Sequence, residues 1–250
     1  MHCAEWPGDG CPVVCVHGFC QSGAYWEPTL DRLAGTGIAG LAPDLPGFAG
    51  SAGLAGPYTM EAYADALADM LEERGIFRVV LVGGSMGGVV AQHFALRHPE
   101  RLVRLLLVAT GAFTADPEAA LAKAESLGTA EWNGATVASV VAGFFYRPPP
   151  DVEMDRFRRI ASSASQPAAT TAARSNARSR TFERLGEITV PTMIVQGRHD
   201  RARTPEHGAA MQERIPDCLF AVLEHSGHTP QLEEPDEFHR LALPFLIGRA

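Results

Sequence analysis

The sequence predicts an α/β protein with a mostly parallel sheet flanked by helices. Short apolar runs of strand length recur along the chain. Helix-length segments separate most of them, and tight glycine-containing turns follow several of the runs. Near-continuous apolar runs suit parallel strands buried on both faces, and alternation with helices suits an open sheet covered on both sides.

In chain order the predicted strands are Val13–Val16, Ile38–Ala42, Val79–Val82, Leu105–Ala109, Met193–Gln196 and Leu219–Leu223. Thr59–Arg74 reads as an amphipathic helix. Met60, Tyr63, Ala64, Leu67, Met70 and Leu71 share one face, with Thr59 as N-cap and Gly75 as C-cap. A second helix runs from Met86 to about His98. The alternation stops between Phe113 and Gly186, where helical and loop-like sequence surrounds Pro148-Pro149-Pro150. An insertion this long is usually functional. From Arg156 to Arg184 it holds seven arginines and one acid, a net of +6, so the rest of a chain of net charge −8 carries −14. These arginines are expected to pair with acids or face solvent, with one or two on a substrate carboxylate as the competing reading.

A chain of 250 residues, 46% hydrophobic and 20% charged, has the composition of a globular protein with a sizeable core. A net charge of −8 argues against non-specific nucleic-acid binding and against an anionic membrane surface. No apolar run reaches the ~18–20 residues of a membrane span, and no signal peptide is visible. The expectation is a cytoplasmic monomer or homodimer acting on a small molecule. Cys11, Cys15 and Cys20 flank His17, but their spacing matches no standard zinc motif, so no metal and no cofactor are expected.

The chemistry centres on Gly83-Gly84-Ser85-Met86-Gly87. Strand, G-x-S-x-G and helix form the layout of a nucleophile elbow, a turn so tight that its flanking positions need small residues. The alternative is a glycine-rich turn that only packs or cradles a phosphate. No lysine follows the glycines, which disfavours a phosphate loop. A serine hydroxyl needs a base, oriented in turn by a carboxylate. Asp200 lies just past the strand Met193–Gln196, and His228 just past Leu219–Leu223. Asp116 and His225 compete for the same roles. Asp200 is preferred because it directly ends a strand motif, and His228 because it stands in a Gly-His pair. Backbone N–H groups of Phe19 and Met86 are the expected oxyanion donors, each worth roughly 3 kcal/mol where such donors have been measured.

Five motifs in order resemble the α/β-hydrolase superfamily over nearly the whole chain. They are His17-Gly18-Phe19, Asp44-Leu45-Pro46-Gly47-Phe48, Gly83 to Gly88, Gly197-Arg198-His199-Asp200, and Gly227-His228 followed by Leu232-Glu233-Glu234-Pro235. The resemblance implies a core of residues 1–112 and 187–250, and a helical cap, 113–186, inserted after the sixth strand. It also implies a structural His17 and abbreviated first strands. Epoxide hydrolases and haloalkane dehalogenases carry aspartate at the position of Ser85 and drop out. Thr229 stands where meta-cleavage C–C hydrolases usually have tryptophan, which counts against them, although a C–C bond hydrolase stays among the alternatives. Small esterases, lactonases and perhydrolases remain, beside a lyase or cyclase and a ligand receptor on the same residues. Gly84 is expected to leave extra room beside the serine. Cys20, Phe144, Phe145 and Tyr146 are expected at the pocket, with Trp26 and Trp132 open.

Overall fold

The computed structural model describes residues 1–249. Seven strands form one sheet: β1 Cys3–Trp6, β2 Asp9–Val16, β3 Ile38–Pro43, β4 Val79–Gly84, β5 Leu102–Val108, β6 Thr192–Gly197 and β7 Cys218–Leu223. Their spatial order is β1-β3-β2-β4-β5-β6-β7. Only β1 runs antiparallel, against β3; the other pairs are parallel. β1 escapes the apolar-run reading because it is a short, half-buried edge strand with Glu5 exposed. With one separate strand ahead of β2, the 113–186 insertion follows the fifth strand of this chain. The expected sixth counted two.

Alternate residues of the central strands feed two cores. Val14, Val16, Leu81, Leu105 and Leu107 join one apolar cluster, and Val13, Cys15, Val80, Val82, Leu106 and Val108 the other. The near-continuous apolar strands follow from this double burial. The second cluster is closed by Leu30 and Leu33 of α1, Glu27–Ala34, and by Phe238 and Phe245 of a C-terminal helix, Pro235–Leu246. The first is closed by α2, Met60–Glu73, and α3, Met86–Arg97. Thr59 caps α2 by accepting from the Ala62 N–H at 3.2 Å, and Gly75, at φ +67°, turns the chain out.

Between β5 and β6 stand α4 Pro117–Thr129, α5 Gly134–Ala142, α6 Asp151–Ser162 and α7 Gln166–Arg178. They pack over the first cluster through Val137, Val141, Met154, Phe157 and Ala169. The Ser165 N–H donates to the Gly47 carbonyl at 2.9 Å, fixing the start of α7 to the loop after β3. Arg156 pairs with Glu27 of α1, Arg158 with Asp155, Arg174 with Glu125 and Arg184 with Glu187. Four of the seven arginines in this stretch are thus matched by carboxylates.

Candidate active site

Ser85 sits between β4 and α3 with φ +51° and ψ −116°, a strained conformation that lifts it to the tip of the turn. Its neighbours explain the glycines. A Cβ on Gly83 would stand 2.4 Å from the Gly87 carbonyl oxygen, and one on Gly87 would stand 2.4 Å from that of Val16. Both obstacles are backbone and cannot swing aside. The Ser85 N–H donates to the Val108 carbonyl at 2.9 Å, and the Thr110 hydroxyl to the Ser85 carbonyl at 2.7 Å.

Ser85, His228 and Asp200 come together from the ends of three strands. The Ser85 Oγ stands 2.8 Å from His228 Nε2, and His228 Nδ1 stands 2.7 Å from Asp200 Oδ2. The other Asp200 oxygen accepts from the backbone N–H groups of Ala202 and Arg203 at 2.8 and 2.9 Å. The buried carboxylate is therefore fixed in place. With Nδ1–H donating to Asp200, Nε2 is left free to accept from the serine hydroxyl. Asp116 instead caps α4, accepting from the Ala119 N–H at 2.9 Å, and His225 faces solvent. His93 of α3 contacts Ser179 at 2.9 Å, and His98, the residue after α3, contacts Asp65 at 3.0 Å.

The loop after β2 lies against the serine. A Cβ on Gly18 would be 3.3 Å from that of Ser85. This brings the next residue, Phe19, to the same edge as Met86, the first residue of α3. His17 is fully buried. Its Nε2 accepts from the Leu45 N–H at 2.9 Å and its Nδ1 donates to the Gly18 carbonyl at 2.7 Å. Both ring nitrogens are occupied, and burial lowers its pKa, so the ring stays neutral. Gln21, which carries no motif, closes the loop by accepting from the Gly18 N–H at 2.9 Å.

The expected pocket residues are placed unevenly. Cys20 is buried with φ +51°, and burial pushes its thiol well above the ordinary range, which makes it a packing group. The space expected beside Gly84 is already filled. A Cβ there would lie 3.0 Å from the Trp26 ring, whose Nε1 donates to the Val16 carbonyl at 3.2 Å. Any side chain at position 84 would press on this ring. Phe144 is buried, and its carbonyl accepts from the Thr229 hydroxyl at 3.0 Å, one residue from His228. Phe145 is half-buried against Phe157 at 5.3 Å. Tyr146 is exposed and stacks on His199 at 3.9 Å, outside the aromatic cluster of Phe144 and Phe145. Trp132 packs against the first apolar cluster with its Nε1 buried and unpartnered among the described residues.

Glu233, just past His228, has a larger share in this geometry than its motif indicated. One oxygen accepts from the N–H groups of Gly227 and Thr229 and, in a bond whose single proton is shared with the Phe144 carbonyl, from the Thr229 hydroxyl, all at 3.1 Å. The other accepts from the N–H groups of Tyr146 and Arg147 at 2.8 and 3.0 Å. One carboxylate thereby joins the histidine loop to the segment between α5 and α6. Among the described residues, no group of three or more His, Cys, Asp or Glu side chains is arranged to hold a metal ion. No helix among the described residues is long and apolar enough to cross a membrane.

Comparison with known proteins gives consistent matches. A family model described as the alpha/beta hydrolase family matches residues 13–241. A 2-hydroxy-6-oxo-6-phenylhexa-2,4-dienoate hydrolase of Comamonas testosteroni is 29% identical over 97% of this chain and 90% of its own length. A pimeloyl-[acyl-carrier protein] methyl ester esterase of Neisseria meningitidis is 30% identical over 94% of this chain and 77% of its own. Among solved structures, a thermophilic esterase from Thermogutta terrifontis superimposes with a TM-score of 0.89 at 30% identity, covering 99% of this chain and 93% of that one.

Proposed function

The chain belongs to the alpha/beta hydrolase family, and on that premise we propose that it is a serine hydrolase cleaving a small ester, lactone or thioester through an acyl-enzyme on Ser85. The observation that carries this reading is the continuous hydrogen-bonded series from Ser85 Oγ through His228 to Asp200, at 2.8 and 2.7 Å. Ser85 Oγ attacks the carbonyl carbon while His228 Nε2 takes its proton. Asp200 stabilises the imidazolium and keeps its orientation. The negative charge that develops on the carbonyl oxygen is received by the N–H groups of Phe19 and Met86, at the positively polarised start of α3. Collapse of the tetrahedral species breaks the carbonyl–heteroatom bond, and the leaving group takes the proton from His228. Water, deprotonated by the same imidazole, then releases the acid and restores Ser85. The core is residues 1–112 and 187–250, and 113–186 form the roof over this chemistry. No cofactor takes part in these steps.

The ester substrate is supported by the esterases among the relatives. A second reading, a C–C bond hydrolase, is favoured by the relative that acts on an oxo-dienoate. Thr229 and the engagement of its hydroxyl by Phe144 and Glu233 weigh against it. Lyase or cyclase chemistry on a polyanion loses support, because four of the seven arginines from Arg156 to Arg184 already have acidic partners.

Intact mass after exposure to a fluorophosphonate tests the assignment. One adduct is expected on the wild type and none on Ser85→Ala, followed by hydrolysis of short-chain esters by the wild type alone. A folded wild type without an adduct, or ester turnover retained by Ser85→Ala, overturns it.

A further inference from the structure

The carbonyl of Ser85 and the N–H of Met86 belong to one peptide group. That group is trans and planar, so the two point in opposite directions. Whatever grips the carbonyl therefore aims the N–H on the other side. The carbonyl accepts from the Gly88 and Val89 N–H groups at 3.0 and 3.3 Å, the ordinary bonds of a helix start, and from the Thr110 hydroxyl at 2.7 Å. The hydroxyl bond is the shortest of the three. Thr110 is set in place for it from several sides. Ala109, at φ +48° although it is no glycine, turns the chain at the end of β5. The carbonyls of Thr110 and Gly111 accept from Gln196 Nε2 at 2.6 Å and Gln92 Nε2 at 3.2 Å, two fully buried amides. Gly88 clears the way, since a Cβ there would lie 2.6 Å from the Cβ, Cγ2 and Oγ1 of Thr110. The threonine is itself fully buried, and among the described residues its hydroxyl has the Ser85 carbonyl as its partner. Valine has the same branched shape and would satisfy packing alone. The hydroxyl is what threonine adds.

We propose that Thr110 is a positioning residue for the oxyanion hole. By donating to the Ser85 carbonyl, its hydroxyl orients the Ser85–Met86 peptide and polarises it, which makes the Met86 N–H a stronger donor. Hydrogen bonds in series strengthen one another in a buried setting. The gain is larger for the charged oxygen of the tetrahedral species than for the neutral carbonyl of the bound ester, so it acts on turnover more than on binding. Thr110 acts through the peptide group alone and needs no contact with the substrate. This assignment rests on the hydrolase reading above.

The test compares wild type, Thr110→Val and Thr110→Ser in hydrolysis of p-nitrophenyl butyrate and in inhibition by phenylboronic acid, whose tetrahedral adduct with a serine places an oxygen in the oxyanion hole. In Thr110→Val, kcat should fall roughly five- to thirtyfold, less than the hundredfold or more that follows loss of an oxyanion donor itself. KM should stay within about twofold of wild type, and the boronic acid Ki should rise in step with the fall in kcat/KM, as for a transition-state analogue. Thr110→Ser, which restores the hydroxyl, should recover most of the loss. Should Thr110→Val fail to fold, Thr110→Ala, which cannot overpack, carries the same comparison. An unchanged kcat overturns the assignment. So does a fall in kcat with an unchanged boronic acid Ki, or one that Thr110→Ser does not recover. Each of these results, with Ser85 of the wild type still labelled by fluorophosphonate, leaves the hydrolase reading standing. A wild type that neither labels nor hydrolyses any ester removes both.

Discussion

Replacing Glu233 separates two effects that the native carboxylate joins. Glutamine keeps one acceptor oxygen, and its best use is the three bonds to Gly227 and Thr229. Its NH₂ then faces the N–H groups of Tyr146 and Arg147, where the native oxygen accepts at 2.8 and 3.0 Å. Two half-exposed charge-assisted bonds are lost at about 1 kcal/mol each, and opposed donors add about 1 more. A total near 3 kcal/mol corresponds to about a hundredfold shift toward a detached 144–147 segment. Glu233→Gln should therefore raise KM about tenfold or more while the rate of fluorophosphonate labelling at Ser85 stays close to wild type. Glu233→Ala loses the histidine-loop bonds too, and labelling should slow by roughly thirtyfold or more, with loss of about 3–5 kcal/mol of stability. Labelling kinetics, ester kinetics and denaturant unfolding on both variants check this. If Glu233→Ala labels and unfolds like the wild type, the carboxylate does not organise the loop and the reasoning fails.

Asp200→Asn should lower kcat by about ten-thousandfold with little change in melting temperature, because an amide can turn its NH₂ toward the ring and fix the wrong tautomer. Gly87→Ala drives a Cβ into the Val16 and His17 carbonyl oxygens, 2.4 and 2.5 Å away. About 3 kcal/mol or more of stability should go, lowering the melting temperature by roughly 6–12 °C by calorimetry. His239 is buried against Thr29, and burial, helped by Arg32, pushes its pKa down from 6.5 to about 4. The unfolded chain then binds the extra proton first, so the stability this group contributes is full above about pH 6.5 and is lost as pH falls toward 4. Urea midpoints should drop by the equivalent of about 3 kcal/mol over that window, and His239→Gln should flatten the slope.

What was legible in the sequence had local causes. Gly83 is dictated by the Gly87 carbonyl within the strand–turn–helix itself, so the elbow could be read from consecutive letters, although Gly87 is confined by the Val16 and His17 carbonyls at the end of β2. Ser85, Asp200 and His228 each follow an apolar run directly, and a parallel sheet brings such positions to one edge. Two features set by distant groups, with no motif to mark those groups, were not legible. Glu233 bonds to N–H groups 86 and 87 residues away, and an N–H has no letter in the sequence. Gly84 looked like spare room because nothing near it in sequence reveals that Trp26 lies across it. Helices α4 and α5 lack a strong apolar period, so their boundaries waited for the structure.

The joint at Glu233 also bears on how relatives of this chain can diverge. On one side it grips only main-chain N–H groups, so the letters at 146 and 147 are free to drift to anything but proline. Chain length is not free in the same way. A single-residue deletion between Phe144 and Asp151 would carry the wrong N–H groups past the carboxylate, or none. Such a lineage would tolerate many substitutions beside the histidine loop and few changes of spacing.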